Sequence, residues 1–209
     1  MKKPLIILTG PTAVGKTKLS ISLAKAVNGA IISADSMQVY RHMDIGSAKI
    51  RPEEMCGVPH YLIDVLDPSE EFHVVKFVEL AHEAMEKIYA AGQIPIVTGG
   101  TGFYIQALLK EVDFTESHGE LPIRKELEEK AATVYGAAEL YQKLSEVDPA
   151  SAETIHPNNV KRVIRALEYY YETGQKISEH NEEQKQKESP YCSAYFVLND
   201  ERSILYDRI

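Results

Sequence analysis

The residues Gly10, Pro11, Thr12, Ala13, Val14, Gly15, Lys16 and Thr17 fit the pattern G-x-x-x-x-G-K-[ST] at every specified position. Each residue type in that pattern has a physical task. Glycines let the backbone curl until successive N–H groups point inward at an anion, beside the N-terminus of the helix that follows. Lys16 adds a point charge, and the Thr17 hydroxyl can ligate Mg²⁺. The chemistry expected here is the holding of two linked phosphates. Nothing in the loop specifies ATP.

Asp35 ends an apolar run, Ala30-Ile-Ile-Ser-Ala-Asp35. At the carboxyl end of a parallel strand it would open onto the same crevice as the loop. A carboxylate there can cap a turn, join a metal shell, or take a proton from an acceptor nucleophile. Asp64 and Asp67 read as turn or cap residues. In Thr98-Gly-Gly-Thr-Gly102, the glycines suggest either a tight turn or close approach of backbone to a ligand, and Thr101 offers a hydroxyl. Lys161 and Arg165 stand four apart, on one helix face, with Arg162 between them. They and the Arg124-Lys125 pair are solvated charge or an anion-binding face. The seven histidines show no metal-ligand spacing, and no Gly-x-Ser-x-Gly element is present.

These residues need elements to hold them. Pro4 to Gly10 is a short apolar run, as expected of a strand buried on both faces. Leu19, Leu23 and Val27 recur at helical spacing before Asn28-Gly29. Further apolar runs at Ala30–Asp35, Tyr61–Leu66 and Ile94–Thr98 read as strands, with a helix over 74–91 between the last two. Strands alternating with helices predict a parallel sheet. After about Phe114 the patterns turn helical, over 123–135, 137–145 and 160–173, with a polar stretch at 181–189 as exposed helix or linker. Ser193–Leu198 returns as a strand. The expected organisation is an α/β core, residues 1–113 and 191–209, interrupted by a helical insertion over 114–190. The pattern at 205–209 reads as an uncapped helix, so a truncated chain is expected.

The chain has 209 residues, is 44% hydrophobic and 26% charged, and carries a formal net charge of −8. That excludes wholesale disorder and a generally basic nucleic-acid coat, though not a local basic patch. Cys56 and Cys192 form no C-x-x-C pair, which fits a reducing cytosol. No apolar run is long enough for a membrane span. A cytoplasmic protein with no membrane contact, and a monomer, is expected.

Three segments together resemble the bacterial tRNA dimethylallyltransferases, also called tRNA isopentenyltransferases. They are the loop Gly10–Thr17, Asp35-Ser-Met-Gln-Val-Tyr-Arg-His-Met-Asp-Ile-Gly-Ser-Ala-Lys49, and Gly99-Gly-Thr-Gly-Phe-Tyr104. The segment Asn158-Asn-Val-Lys-Arg-Val-Ile-Arg-Ala-Leu-Glu168 is similar to that family's tRNA-contacting helix. Ser47 stands where the family commonly has threonine. The resemblance implies a P-loop NTPase-like α/β core with a helical insertion. It also implies transfer of a dimethylallyl group from dimethylallyl diphosphate to the exocyclic amine of the adenosine just 3′ of the anticodon. The loop Gly10–Thr17 would hold the diphosphate, with Thr17 on Mg²⁺. Asp35 would be the base, Thr101 would assist at the reaction centre, and Arg165 would join Lys16 around the leaving diphosphate. Asp35, Ser36, Met37, Gln38, Thr101, Arg124, Lys161, Arg162, Val163, Ile164 and Arg165 match segments that touch the tRNA anticodon stem-loop. Family members usually extend beyond residue 209.

The rival reading is a P-loop kinase of a small metabolite or nucleotide. Its mark would be an arginine-rich lid, and the insertion is not notably arginine-rich. A non-catalytic tRNA-binding module is opposed by intact Lys16, Thr17 and Asp35. A relative that prenylates free adenine nucleotides is opposed by the basic residues of the insertion.

Overall fold

The computed structural model describes residues 2–112 and 122–208. In chain order its elements are β1 (Lys3–Thr9), α1 (Lys16–Val27), β2 (Gly29–Ser33), β3 (His60–Tyr61), α2 (Val74–Ala90), β4 (Ile94–Gly99), α3 (Gly102–Lys110), α4 (Pro122–Ala131), α5 (Gly136–Val147), α6 (Pro149–Thr154), α7 (Val160–Thr173), α8 (Ile177–Gln186), β5 (Tyr191–Val197) and α9 (Arg202–Asp207). The five strands form one all-parallel sheet in the order β3-β2-β4-β1-β5. This is an α/β fold, and the apolar runs of β1, β2 and β4 are its inner strands, covered on both faces, while β5 at the edge is largely exposed.

Residue contacts divide the chain into two units, Met1–Val112 with Glu188–Ile209, and Asp113–Lys187. The expected boundary at 113–114 lies outside the described residues. In the sheet unit, Leu5, Ile7, Ile32 and Val97 pack with Phe77, Ala81, Met85 and Ile88 of α2 and with Ile105 and Leu108 of α3. On the other face Ile31 and Ile96 meet Ala24 of α1. The described part of the second unit is helical, built on Leu127, Leu140, Leu144, Val163, Ile164 and Leu167.

One expectation needs correcting, and one helix was not expected. The strand expected over Tyr61–Leu66 is only His60–Tyr61, because Leu62 at φ 62° and Asp64 at φ 54° take left-handed backbone that no strand can continue through. Leu66 then returns to a single bridge with Tyr40. Helix α3, which no periodicity announced, begins directly after the glycines. Its Tyr104, Ile105, Ala107, Leu108 and Leu109 are buried while Phe103 and Gln106 are exposed, and at nine residues the helix is too short to fill the window in which a helical period shows. Among the described residues no helix is long and apolar enough to cross a membrane.

Candidate active site

The phosphate loop leaves β1 through backbone that only its own sequence tolerates. Gly10 has φ 154°, and a Cβ there would stand 2.5 Å from the Leu198 carbonyl oxygen. Glycine is therefore required by space as well as by conformation. Ala13 and Gly15 also have positive φ, 64° and 95°, which curls the segment toward the start of α1. Gly15 is the N-cap of that helix and makes no side-chain cap. The first-turn N–H groups are left for an anion, which the helix dipole favours.

Lys16 turns its ammonium back over the loop, donating to the carbonyls of Gly10 at 2.9 Å and Pro11 at 2.7 Å. Burial pulls its pKa below the ordinary lysine value, and the nearby Asp35 carboxylate works against that shift. The two charges thus lie within electrostatic reach of each other.

Asp35 follows the end of β2. Its Oδ1 accepts from the backbone N–H groups of Met37 at 2.8 Å and Gln38 at 3.2 Å, so the carboxylate does cap the next turn. Among the described residues Oδ2 accepts no hydrogen bond. One oxygen fixes the orientation and the other is open to accept a proton. Ser36 and Met37 are exposed beside it.

The rest of this segment is tied inward. Gln38 accepts from the Ser33 hydroxyl at 3.2 Å and donates to the carbonyls of Ser47 at 3.3 Å and Ala48 at 3.2 Å. Both ends of its amide are used within the protein. Lys49 has a side chain only 5% exposed. Its ammonium donates to the Tyr40 carbonyl at 2.7 Å, Asp44 at 2.7 Å and Asp64 at 2.6 Å. Burial opposes its charge, but these two carboxylates win and raise its pKa. Asp64 is therefore an ion-pair partner, and Asp67 accepts from Ser69 in a turn. Sequence reasoning passed over the role of Lys49, although it closes the motif that carried the resemblance.

The third contributor is the turn after β4. A Cβ on Gly100 would lie 3.8 Å from the Gly10 carbonyl oxygen, so this turn borders the phosphate loop. Thr101 is the N-cap residue of α3, and its hydroxyl makes no cap hydrogen bond. The helix is pinned by Tyr104, whose ring stacks on Phe77 at 4.9 Å between centroids. Loop, Asp35 and Thr101 therefore gather at the carboxyl ends of adjacent strands, where parallel sheets place ligands. Beside them runs a cleft of about 1240 Å³, lined by Thr12, Ala13, Thr17 and Lys18 on one wall and Asp44, Lys49 and Arg51 on the other. Among the described residues no group of three or more His, Cys, Asp or Glu is gathered. An all-protein metal cage is thus absent there, while a single hydroxyl such as Thr17 suits a cation that keeps water and phosphate ligands.

The remaining candidates belong to the helical unit. Lys161 and Arg162 are exposed on α7, and Arg165 is partly so. Val163 and Ile164 are buried, 1% and 4% exposed, in that unit's core. Their side chains seat the helix in that core. Arg124 of α4 comes close to Arg165, since both donate to the same oxygen of Glu168. Sequence reasoning missed Glu168.

A sequence profile of the IPP transferase family matches residues 38–209. The chain belongs to that family. It is 65% identical to a tRNA dimethylallyltransferase of Lachnoclostridium phytofermentans over 99% of this chain and 66% of the relative. It is 51% identical to that of Bacillus licheniformis, over 100% of this chain and again 66% of the relative. The chain thus spans just under two thirds of the length of these relatives. Among solved structures it resembles a eukaryotic dimethylallyltransferase acting on tRNA, with TM-score 0.85 and 36% identity over 99% of this chain and 50% of that one. The full-length tRNA isopentenylpyrophosphate transferase of Bacillus halodurans matches with TM-score 0.65 and 47% identity, over 100% of this chain and 63% of that one.

Proposed function

We propose that the protein transfers a dimethylallyl group from dimethylallyl diphosphate to the exocyclic amine of the adenosine 3′-adjacent to the anticodon of tRNA, releasing diphosphate. The observation that supports this most is the pairing of a lysine-bearing phosphate loop with an oriented carboxylate, Lys16 and Asp35, in an IPP transferase chain.

The donor's diphosphate sits against the N–H groups of the loop and the Lys16 ammonium. Its allylic carbon–oxygen bond breaks with the electron pair leaving on the diphosphate. Neutralising that anion is the main catalytic task, because the carbon gains carbocation character as it departs. The adenine nitrogen forms the new carbon–nitrogen bond and becomes acidic as it does so. Asp35 takes its proton at Oδ2, while Oδ1 keeps the carboxylate fixed through Met37 and Gln38. Thr101 offers its hydroxyl beside the reacting groups. Arg165, Arg124, Lys161 and Arg162 supply cationic side chains for phosphate oxygens of the substrates. Thr17 would hold Mg²⁺ through its hydroxyl, and the ion when bound would supply further charge neutralisation to the diphosphate. The protein acts as a cytoplasmic monomer.

The test is incubation with labelled dimethylallyl diphosphate, Mg²⁺ and unmodified tRNA, with labelled ATP in a parallel tube. Label is expected in the RNA from the first tube only. Phosphoryl transfer from ATP, with no prenylated RNA, would favour a kinase and overturn the proposal.

A further inference from the structure

Glu168 is the most buried acid among the described residues, and neither the phosphate loop nor the helical core accounts for it. Its carboxylate, 1% exposed, lies on α7 between two arginines. Oε2 accepts from Arg165 Nη1 at 2.9 Å, one turn earlier on the same helix, and from Arg124 Nη1 of α4 at 3.3 Å. The other oxygen, Oε1, is buried and accepts no hydrogen bond from any described residue. A carboxylate paired with one guanidinium can present both oxygens to its fork. Here a single oxygen is shared by two cations, which fixes their spacing and leaves the second oxygen idle.

The two guanidinium groups would repel each other if nothing stood between them. Held by a buried anion, they keep a net positive charge, and each remains partly open to solvent, Arg165 at 36% and Arg124 at 39%. Among the described residues Arg165 makes no other hydrogen bond, so the rest of its five donors are unspent. Arg124 is steadied a second time by Glu128, at 3.1 Å from its Nε. It also lines, with Lys161, a recess of about 540 Å³. Locked, outward, planar donors beside a lysine match the oxygens of a phosphate group.

We infer that Glu168 is a positioning residue that holds Arg165 and Arg124 together as one guanidinium grip for phosphate oxygens. This rests on the reading of those arginines as phosphate-facing, and it departs from treating them as independent contacts. The shared chemistry is a phosphate oxyanion, supplied by the RNA backbone or by a diphosphate.

The test measures binding of an anticodon stem-loop RNA and, separately, of inorganic diphosphate. The proteins compared are the unaltered chain, E168Q, R124A/R165A and the triple variant, each with its melting temperature. Simple electrostatics predicts that removing a negative charge strengthens anion binding. The grip requires the opposite, about tenfold weaker binding by E168Q to the probe that Arg165 and Arg124 hold, because the loss of a charge-assisted hydrogen bond releases both forks. Weakening confined to RNA assigns the grip to backbone phosphate, and weakening confined to diphosphate assigns it to the donor. In the R124A/R165A background E168Q should change nothing.

Tighter or unchanged binding by E168Q overturns the proposal. So does an equal loss in the arginine-free background, or an unaltered chain that binds neither probe. Should E168Q fail to fold, ¹⁵N spectra of arginine-labelled unaltered protein decide, with R165K to assign the signals. Separated Nη resonances for Arg165 are expected, and a single averaged one overturns the grip. Prenyl transfer is assayed independently. Coupling without transfer would sink the proposed reaction and leave the grip, and transfer without coupling would do the reverse.

Discussion

Gly99 packs against Ala34 so closely that a Cβ on the glycine would stand 2.3 Å from the alanine's carbonyl oxygen. The contact fastens the end of β4 to the end of β2, one residue before Asp35 and two before Thr101. Gly99→Ala must push these strand ends apart. It should cost about 1–3 kcal/mol of stability, as overpacking does, and reduce prenyl transfer by more than the melting shift accounts for. A variant as stable and as active as the native protein would show that the two strand ends move independently.

Lys16→Ala should leave the fold intact, since the ammonium bonds only to carbonyls of its own loop. If the proposed reaction holds, removing this charge should cost on the order of 3 kcal/mol of transition-state stabilisation. Single-turnover transfer at saturating donor is the measurement. A near-native rate would remove Lys16 from the chemistry.

Asp35→Asn keeps an oxygen to accept from Met37 and Gln38 but has no carboxylate for the proton. Donor affinity should hold while the chemical step falls about 10²–10⁴-fold. Collapse of donor affinity with Mg²⁺ present would instead make Asp35 part of a metal shell.

Asp148 joins α6 to α8 by accepting from the N–H and hydroxyl of both Ser151 and Ser178. Burial pushes its pKa up, but these hydrogen bonds outweigh it and the net shift is downward. A lowered folded pKa means the stabilisation is complete above the unfolded carboxylate value of about 3.9 and fades as pH falls through the folded one. Asp148→Ala should destabilise the helical unit by about 3 kcal/mol near neutrality, and less as the pH drops below 4. A pH-independent difference in urea unfolding would disprove the linkage.

What could be read from the residues was what local order determines. The loop, β1 and the bounds of α7 follow from spacing alone, because a glycine-closed apolar run and a 3.6-residue period are local properties. Helix α3 escaped because its nine residues are too few to show a helical period, and β3 shrank because of positive φ at Leu62 and Asp64. That Val163 and Ile164 face the core while Lys161 and Arg162 are exposed is settled by packing, since adjacent helix residues face different ways. The link from Glu168 to Arg124 spans 44 residues, and no period encodes such a pairing.

The register of β5 on β1 bears on the order in which the protein can be built. Lys3 pairs with Tyr191 and Thr9 with Val197. At ribosomal speeds of about 5–20 residues per second, β1 waits roughly 10–40 s for this neighbour to be synthesised. Its partner on the other side, β4, is translated in half that time. During the interval the nascent sheet ends at β1, with one row of backbone N–H and C=O groups unpaired. Such an edge accepts any extended segment that passes, including another nascent chain. Yield should therefore be more sensitive to crowding of ribosomes on the message, and to chaperone supply, than the stability of the finished sheet would suggest.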